Sequence, residues 1–194
     1  FNKFINIKYL LINLENNNLI NTLKIKEIDT IFHAAAYKHV DMAEKNIASV
    51  MYNNILSTFN ISNFAINNNV KNFVNISTDK AVKPKSIMGL SKRICEIIIS
   101  QLGKNKNYYS VRFGNVINSS GSVIPIFIDQ IENNEKITIS NIDVTRYFMS
   151  IPEAISLILL SLNLDKNKNI FILDMGQPIK IIDIAKKLCL VYKK

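Results

Sequence analysis

The chain has 194 residues, 48% of them apolar and 20% charged. That length and apolar content suit one domain, or one domain and part of another, and exclude a disordered tail. The net charge of +9 comes from 24 basic residues against 15 acidic ones. The basic residues are 21 Lys and only 3 Arg, the Lys scattered except at the very end and without interleaved aromatics, in a chain also rich in Asn and Ile; the bias is that of an AT-rich coding sequence and argues against a nucleic-acid groove.

In chain order, the first candidate strand is Asp29 to His33, followed by Ala34-Ala35-Ala36. From Ile47 to Asn67, Val50, Met51, Ile55, Phe59, Phe64 and Ala65 recur at helical spacing, which predicts a helix. Lys71 to Ser77 is a second strand, Gly89 to Leu102 a second helix and Tyr108 to Phe113 a third strand. Strands alternating with helices of this length predict right-handed crossovers and a parallel sheet. After Val123 come a helix from Ile124 to Glu132, a short strand KITIS (136–140), a helix from Pro152 to Leu162, a strand IFILD (170–174) and a last helix from Ile181. The pattern predicts an α/β fold in two parts, a partial Rossmann-like domain over 1–122 and a smaller substrate-side lobe over 123–194.

No apolar run approaches the ~18 residues of a bilayer span, and no signal peptide is visible. Cys95 and Cys189 match no metal or redox spacing and read as buried thiols of a reducing compartment. No metal site is expected. The first glycine is Gly89, whereas a dinucleotide-binding loop needs glycines for its tight turn and for close approach to the pyrophosphate. The expectation is a piece of a longer protein, lacking its first strand–helix–strand unit and cut at both ends.

The densest chemistry is Ser77-Thr78-Asp79-Lys80, followed by Met88-Gly89-Leu90-Ser91-Lys92. Ser77 closes a predicted strand, so the next residues reach the crevice at the carboxyl end of a parallel sheet, where ligands bind. Thr78 offers a hydroxyl, Asp79 a carboxylate and Lys80 an amine. Taken alone, this triplet equally fits a capping Asp beside a solvated Lys, and Lys92 alone fits a surface helix lysine.

Together with His33 to Val40 (HAAAYKHV), Asn53-Asn54, STDKAVKP (77–84), MGLSK (88–92), VRFGNV (111–116), SSGSVIP (119–125), TRYFM (145–149) and LDMG (173–176), the chain resembles the extended short-chain dehydrogenase/reductase superfamily. Within it, the chain is similar to the CapD-like nucleotide-sugar 4,6-dehydratases of polysaccharide biosynthesis, over about residues 29–190. The resemblance implies a UDP-N-acetylhexosamine, UDP-GlcNAc by preference, as substrate and NAD or NADP as cofactor. Hydride leaves C4 of the sugar, water is lost across C5–C6, and hydride returns to C6. Lys80 would be the base at C5, with its pKa lowered by burial or by Lys92, and Asp79 the acid at the C6 oxygen, with its pKa raised.

Two positions depart from the family pattern. Met88 stands where most of the superfamily has a catalytic Tyr, which leaves the base for the C4 hydroxyl open between a water, Asp79 and Lys80; the membrane-anchored branch also carries Met there. Ser57 stands where the family usually has Gly. The remaining assignments follow from the match. Thr78 joins the catalytic group. Ala34, Ala35, Ala36, Ser77, Lys92 and Val116 would lie along the cofactor. Lys38, His39, Asn115, Ser120, Thr138 and Arg146 would meet the substrate, Arg146 through a bidentate phosphate contact. The bland readings are tight packing for the alanines, a turn for Asn115, a capped turn for His39 and a structural role for Arg112. The implied setting is cytoplasmic. The resemblance allows a homo-oligomer and places any membrane anchor upstream of Phe1. The alternatives are a UDP-sugar 4-epimerase and a non-catalytic truncated remnant.

Overall fold

The computed structural model describes residues 7–21, 27–104, 106–117, 119, 121–139, 141–164 and 168–193. The first elements are α1 (Asn17–Asn21), β1 (Thr30–His33), α2 (Val40–Lys45) and α3 (Ile47–Met51). A π-helical turn, Tyr52–Leu56, joins α3 to α4 (Ser57–Asn67). Then follow β2 (Asn72–Thr78), a 3₁₀ turn (Asp79–Ala81), α5 (Ile87–Leu102), β3 (Asn107–Phe113) and β4 (Asn115–Val116). The chain continues through α6 (Val123–Glu132), β5 (Thr145–Arg146), β6 (Phe148–Met149), α7 (Ile151–Leu160), a 3₁₀ turn (Ser161–Asn163), β7 (Ile170–Ile172), β8 (Ile179–Lys180) and α8 (Ile181–Tyr192).

Four parallel strands form the central sheet in the order β1-β2-β3-β7. The expected α/β class with a parallel sheet is what the chain folds into. Because successive side chains of a strand point to opposite faces, neighbours in the sequence enter different cores. Phe73 and Tyr108 pack with Ala65, Val70 and Ile99 on the side of α4 and α5. Val74 and Tyr109 pack with Val111, Met149, Ala154 and Leu173 on the side of α7. A sheet covered on both faces shows unbroken apolar runs, and FV and YY are such runs. The two tyrosines stay hydrogen-bonded inside: Tyr108 Oη donates to the Val70 carbonyl at 3.0 Å, and Tyr109 Oη lies 2.9 Å from Ser161 Oγ.

The segment after residue 122 divides. α7 and β7 build onto the central sheet, while α6 and α8 pack on each other through Phe127, Ile181 and Ala185. β4 pairs with β6 in parallel and β5 with β8 antiparallel. These two-residue strands and α2 are too short for any periodicity to announce them. KITIS is not a strand: residues 136–139 have no ladder partner, and Ser140 lies outside the described residues. Helix starts follow the local chemistry. Ser86 Oγ accepts from Gly89 N–H to cap α5. At α7, Ser150 and Glu153 form a reciprocal capping box with Pro152 in the first turn, as an S-x-x-E pattern requires.

Candidate active site

β2 delivers Thr78 to the carboxyl edge of the sheet, and the chain turns there at once. Thr78 remains extended and caps the 3₁₀ turn, its Oγ1 accepting from Lys80 N–H at 3.3 Å. The same hydroxyl donates to Asp79 Oδ1 at 2.9 Å. Lys80 Nζ bridges two partners, Asp79 Oδ1 at 3.1 Å and Asn115 Oδ1 at 3.3 Å. Both charged side chains are about 30% exposed, so the pair is accessible from solvent. It is held in contact, the amine beside the carboxylate. Asn115 reaches Lys80 because β4 is tied to β6, with Asn115 N–H donating to the Tyr147 carbonyl at 2.9 Å.

The start of α5 lies directly against this turn. A Cβ on Gly89 would sit 2.5 Å from the Lys80 carbonyl oxygen, so only glycine lets the helix approach the Asp79–Ala81 turn this closely. One turn on, Lys92 is 7% exposed and donates from Nζ to the Ile76 carbonyl at 2.7 Å. The reading of Lys92 as a surface lysine is overturned. Burial lowers its pKa, against the opposing pull of Cys95 and Glu96.

Below β1 runs a polar interior that the sequence reading missed. Buried His33 lies with Nε2 3.0 Å from Thr58 Oγ1; burial first and then the Lys92 charge lower its pKa to about 4, so the ring is neutral. Asn54, in the π-helical turn, accepts from Tyr37 N–H at 2.7 Å and donates to the Tyr37 carbonyl at 3.0 Å and to Ser91 Oγ at 2.9 Å. It therefore clips the loop after β1 to α5. Single π turns recur at functional sites because the extra residue re-aims a side chain. The available signal was the Asn53-Asn54 pair four residues before Thr58. Asn54 O accepts from both Thr58 Oγ1 at 2.6 Å and Cys95 Sγ at 3.2 Å. Cys95 is buried, as expected, but Cys189 is only half-buried.

The other expected site residues separate into groups. Ala34 and Ala35 are exposed and Ala36 half-buried at the carboxyl end of β1, the same sheet edge as Asp79 and Lys80. Lys38 and His39 are exposed on the loop that follows. The His39 ring packs under Gly121, whose φ is +64° and whose added Cβ would sit 2.5 Å from Cε1. Ser120, beside it, lies outside the described residues. Val116 pairs with Met149 and packs into the core on the α7 side.

Two expectations are corrected. The Ser77 hydroxyl is not offered to the crevice: Ser77 is buried and donates to Glu96 Oε1 at 2.6 Å. Met88 is 4% exposed and packs with Ala43 and Val50 of α2 and α3; a buried thioether without an exchangeable proton is a packing residue, not a catalytic one. Thr138 and Arg146 lie in the other lobe and are exposed. Thr138 bonds to Gln130, and Arg146 donates from Nη1 to its neighbour's carbonyl at 2.8 Å. None of their hydrogen bonds among the described residues joins them to Asp79 or Lys80. Arg112 is structural, as its place in a strand allowed. No cluster of His, Cys, Asp and Glu among the described residues could hold a metal, and no described helix is long and apolar enough to cross a membrane.

The family model described as polysaccharide biosynthesis protein matches residues 2–194. The chain belongs to that family. It is 45% identical over 176 residues to the probable polysaccharide biosynthesis protein EpsC of Bacillus subtilis, covering 90% of this chain and 29% of EpsC. It is 47% identical over 161 residues to the capsular polysaccharide biosynthesis protein CapD of Staphylococcus aureus, covering 81% and 27%. A Rickettsia bellii UDP-glucose 4-epimerase is 36% identical over 186 residues, covering 93% and 54%. The chain thus spans between about a quarter and a half of these relatives' lengths. Among solved structures, Pen from Bacillus thuringiensis superposes with a TM-score of 0.89 at 33% identity, covering 97% of this chain and 61% of that one. The NAD-bound dTDP-glucose 4,6-dehydratase DesIV of Streptomyces venezuelae shares the fold, with a TM-score of 0.84 at 17% identity, covering 91% and 61%.

Proposed function

We propose that the chain is the catalytic part of an NAD(P)-dependent nucleotide-sugar 4,6-dehydratase of polysaccharide biosynthesis, with a UDP-N-acetylhexosamine, UDP-GlcNAc by preference, as substrate. The observation that carries this reading is the Asp79–Lys80 contact of 3.1 Å at the carboxyl edge of the sheet, beside Asn115. Elimination across C5–C6 needs a base and an acid side by side. A proton passed from the Lys80 ammonium to the Asp79 carboxylate leaves a neutral amine next to a neutral acid. The amine then removes the C5 proton, and the acid protonates the C6 hydroxyl as it leaves as water. Elimination leaves the pair as ammonium and carboxylate; the Lys80 ammonium would then return a proton to C5 as hydride returns to C6, and the proton released from the C4 hydroxyl on oxidation makes up the balance.

NAD(P), when bound, supplies the hydride acceptor for C4 and the hydride donor for C6. The small side chains of Ala34 to Ala36 at the end of β1 would let its flat ring system approach the backbone. Lys92, one turn into α5, donates to the Ile76 carbonyl, and another of its three donors would serve the nicotinamide ribose. With no glycine before Gly89, no glycine loop in this chain cradles the pyrophosphate; the much longer relatives have ample sequence to provide one. Lys38, His39, Asn115, Ser120, Thr138 and Arg146 remain the substrate-side candidates, Arg146 for a phosphate.

A second reading, a UDP-sugar 4-epimerase, is favoured by the 36% identity to the Rickettsia bellii enzyme. Epimerisation at C4 needs no base at C5, so Lys80 in contact with Asp79 counts against it. Incubating the full-length protein with UDP-GlcNAc and following the products separates the two. A 4-keto-6-deoxy sugar that absorbs in strong base supports dehydration, whereas interconversion of the C4 epimers without that product overturns it.

A further inference from the structure

Two of the three arginines, in a chain with 21 lysines, converge on one buried carboxylate. Glu96 of α5 is 1% exposed. Arg112 of β3 grips it with both arms of its fork, Nε donating to Oε1 at 2.7 Å and Nη2 to Oε2 at 2.6 Å. Arg93 adds a bond to Oε2 at 3.0 Å, and Ser77 donates to Oε1 at 2.6 Å. Burial pushes the Glu96 carboxyl upward in pKa, but Arg112, Ser77 and Arg93 outweigh it and hold the group ionised. A planar fork is what lysine cannot supply, which explains arginine here despite the compositional bias.

This carboxylate stands directly behind the chemistry. Ser77 is the residue before Thr78-Asp79-Lys80. α5 therefore holds the end of β2 and its turn at three points: Gly89 against the Lys80 carbonyl, Lys92 on the Ile76 carbonyl and Glu96 on the Ser77 hydroxyl. Spacings of three and four place all three on one helix face. We propose that Glu96, clamped by Arg112, is a positioning residue that sets where Asp79 and Lys80 stand in the crevice, acting through Ser77. Misplacement of a reacting group by ~1 Å costs on the order of a hundredfold in rate. The inference rests on the dehydratase reading, which gives the pair its work.

The test compares Glu96→Gln, Arg112→Lys and Ser77→Ala in the full-length protein. It reads kcat and KM for UDP-GlcNAc, and the rate at which trinitrobenzenesulfonate labels Lys80, located by peptide mass. In all three variants kcat should fall at least about tenfold while KM stays within about threefold. The labelling rate of Lys80 should change in parallel. A folded Arg112→Lys or Ser77→Ala variant with kcat within about twofold of the parent overturns the proposal. Ser77→Ala removes one hydroxyl and strands no charge, so it carries the test should Glu96→Gln fail to fold; its own failure to fold would show the contact to be purely structural and would also overturn the proposal. If the parent makes no 4-keto-6-deoxy product, it is the dehydratase reading that fails. Lys80 labelling then decides the clamp, and unchanged labelling refutes it.

Discussion

The end of β2 and the lobe of α6 and α8 hold candidate site residues under opposite conditions. At β2, Lys80 is met by Asp79 and Asn115, Lys92 by the Ile76 carbonyl and Glu96 by two arginines and a serine. In the lobe, Thr138 and Arg146 are exposed, and their side chains bond to Gln130 and to the Thr145 carbonyl. Groups fixed by the protein before substrate arrives can contribute to the barrier, because their orientation costs nothing at the moment of reaction. Exposed groups that must first be ordered contribute mainly to binding. On the proposed function, the two regions would divide the work into rate and affinity.

The largest effect should come from the β2 end. Lys80→Met should lower kcat about a thousandfold with KM changed little, the range for loss of a positioned general base; steady-state kinetics on UDP-GlcNAc check it, and an unchanged kcat would erase the contrast between the regions. Next comes the interior beneath it. His33 is held neutral with a pKa of about 4 against 6.5 when unfolded. The unfolded chain therefore takes up the proton first as pH falls. The stability His33 contributes is complete above about 6.5 and is lost progressively down to about 4, on the order of 3 kcal/mol. Urea titrations at pH 7 and pH 4.5 measure the loss, and His33→Gln should flatten that segment of the profile; an equal slope in both proteins would remove His33 as its cause.

Smaller effects belong to the lobe. Arg146→Ala should raise KM about tenfold with kcat and melting temperature nearly unchanged. A fall in kcat alone would move Arg146 into the first category and blur the comparison. Thr138→Ala should do least, shifting stability by no more than about 0.5 kcal/mol, as for exposed positions generally. A larger loss in thermal denaturation would mean that the Gln130 contact orders the lobe.

Much of this was legible from residues in order. Lys71 to Ser77 and Tyr108 to Phe113 read as strands, which they are. The alternation of strand and helix marked a parallel sheet, and the end of β2 placed Thr78, Asp79 and Lys80 at its reactive edge. The interruption of the 47–67 helix by a π turn was not legible, because apolar spacing is nearly the same through it. The role of Glu96 was also hidden. Its partners lie 3, 16 and 19 residues away, and no local pattern links a helix glutamate to an arginine on the next strand.

Sequence alone determined the kind of chemistry available, since residue types and the short-range geometry of a strand end decide which acids, bases and donors share one turn. Tertiary structure alone decided which of them are free to act. It buried Met88 and the Ser77 hydroxyl, brought Lys92 inside and laid Asn115 against Lys80. Burial and contact across the sheet depend on how distant segments pack, and a side chain's neighbours in space, not along the chain, set its charge and reach.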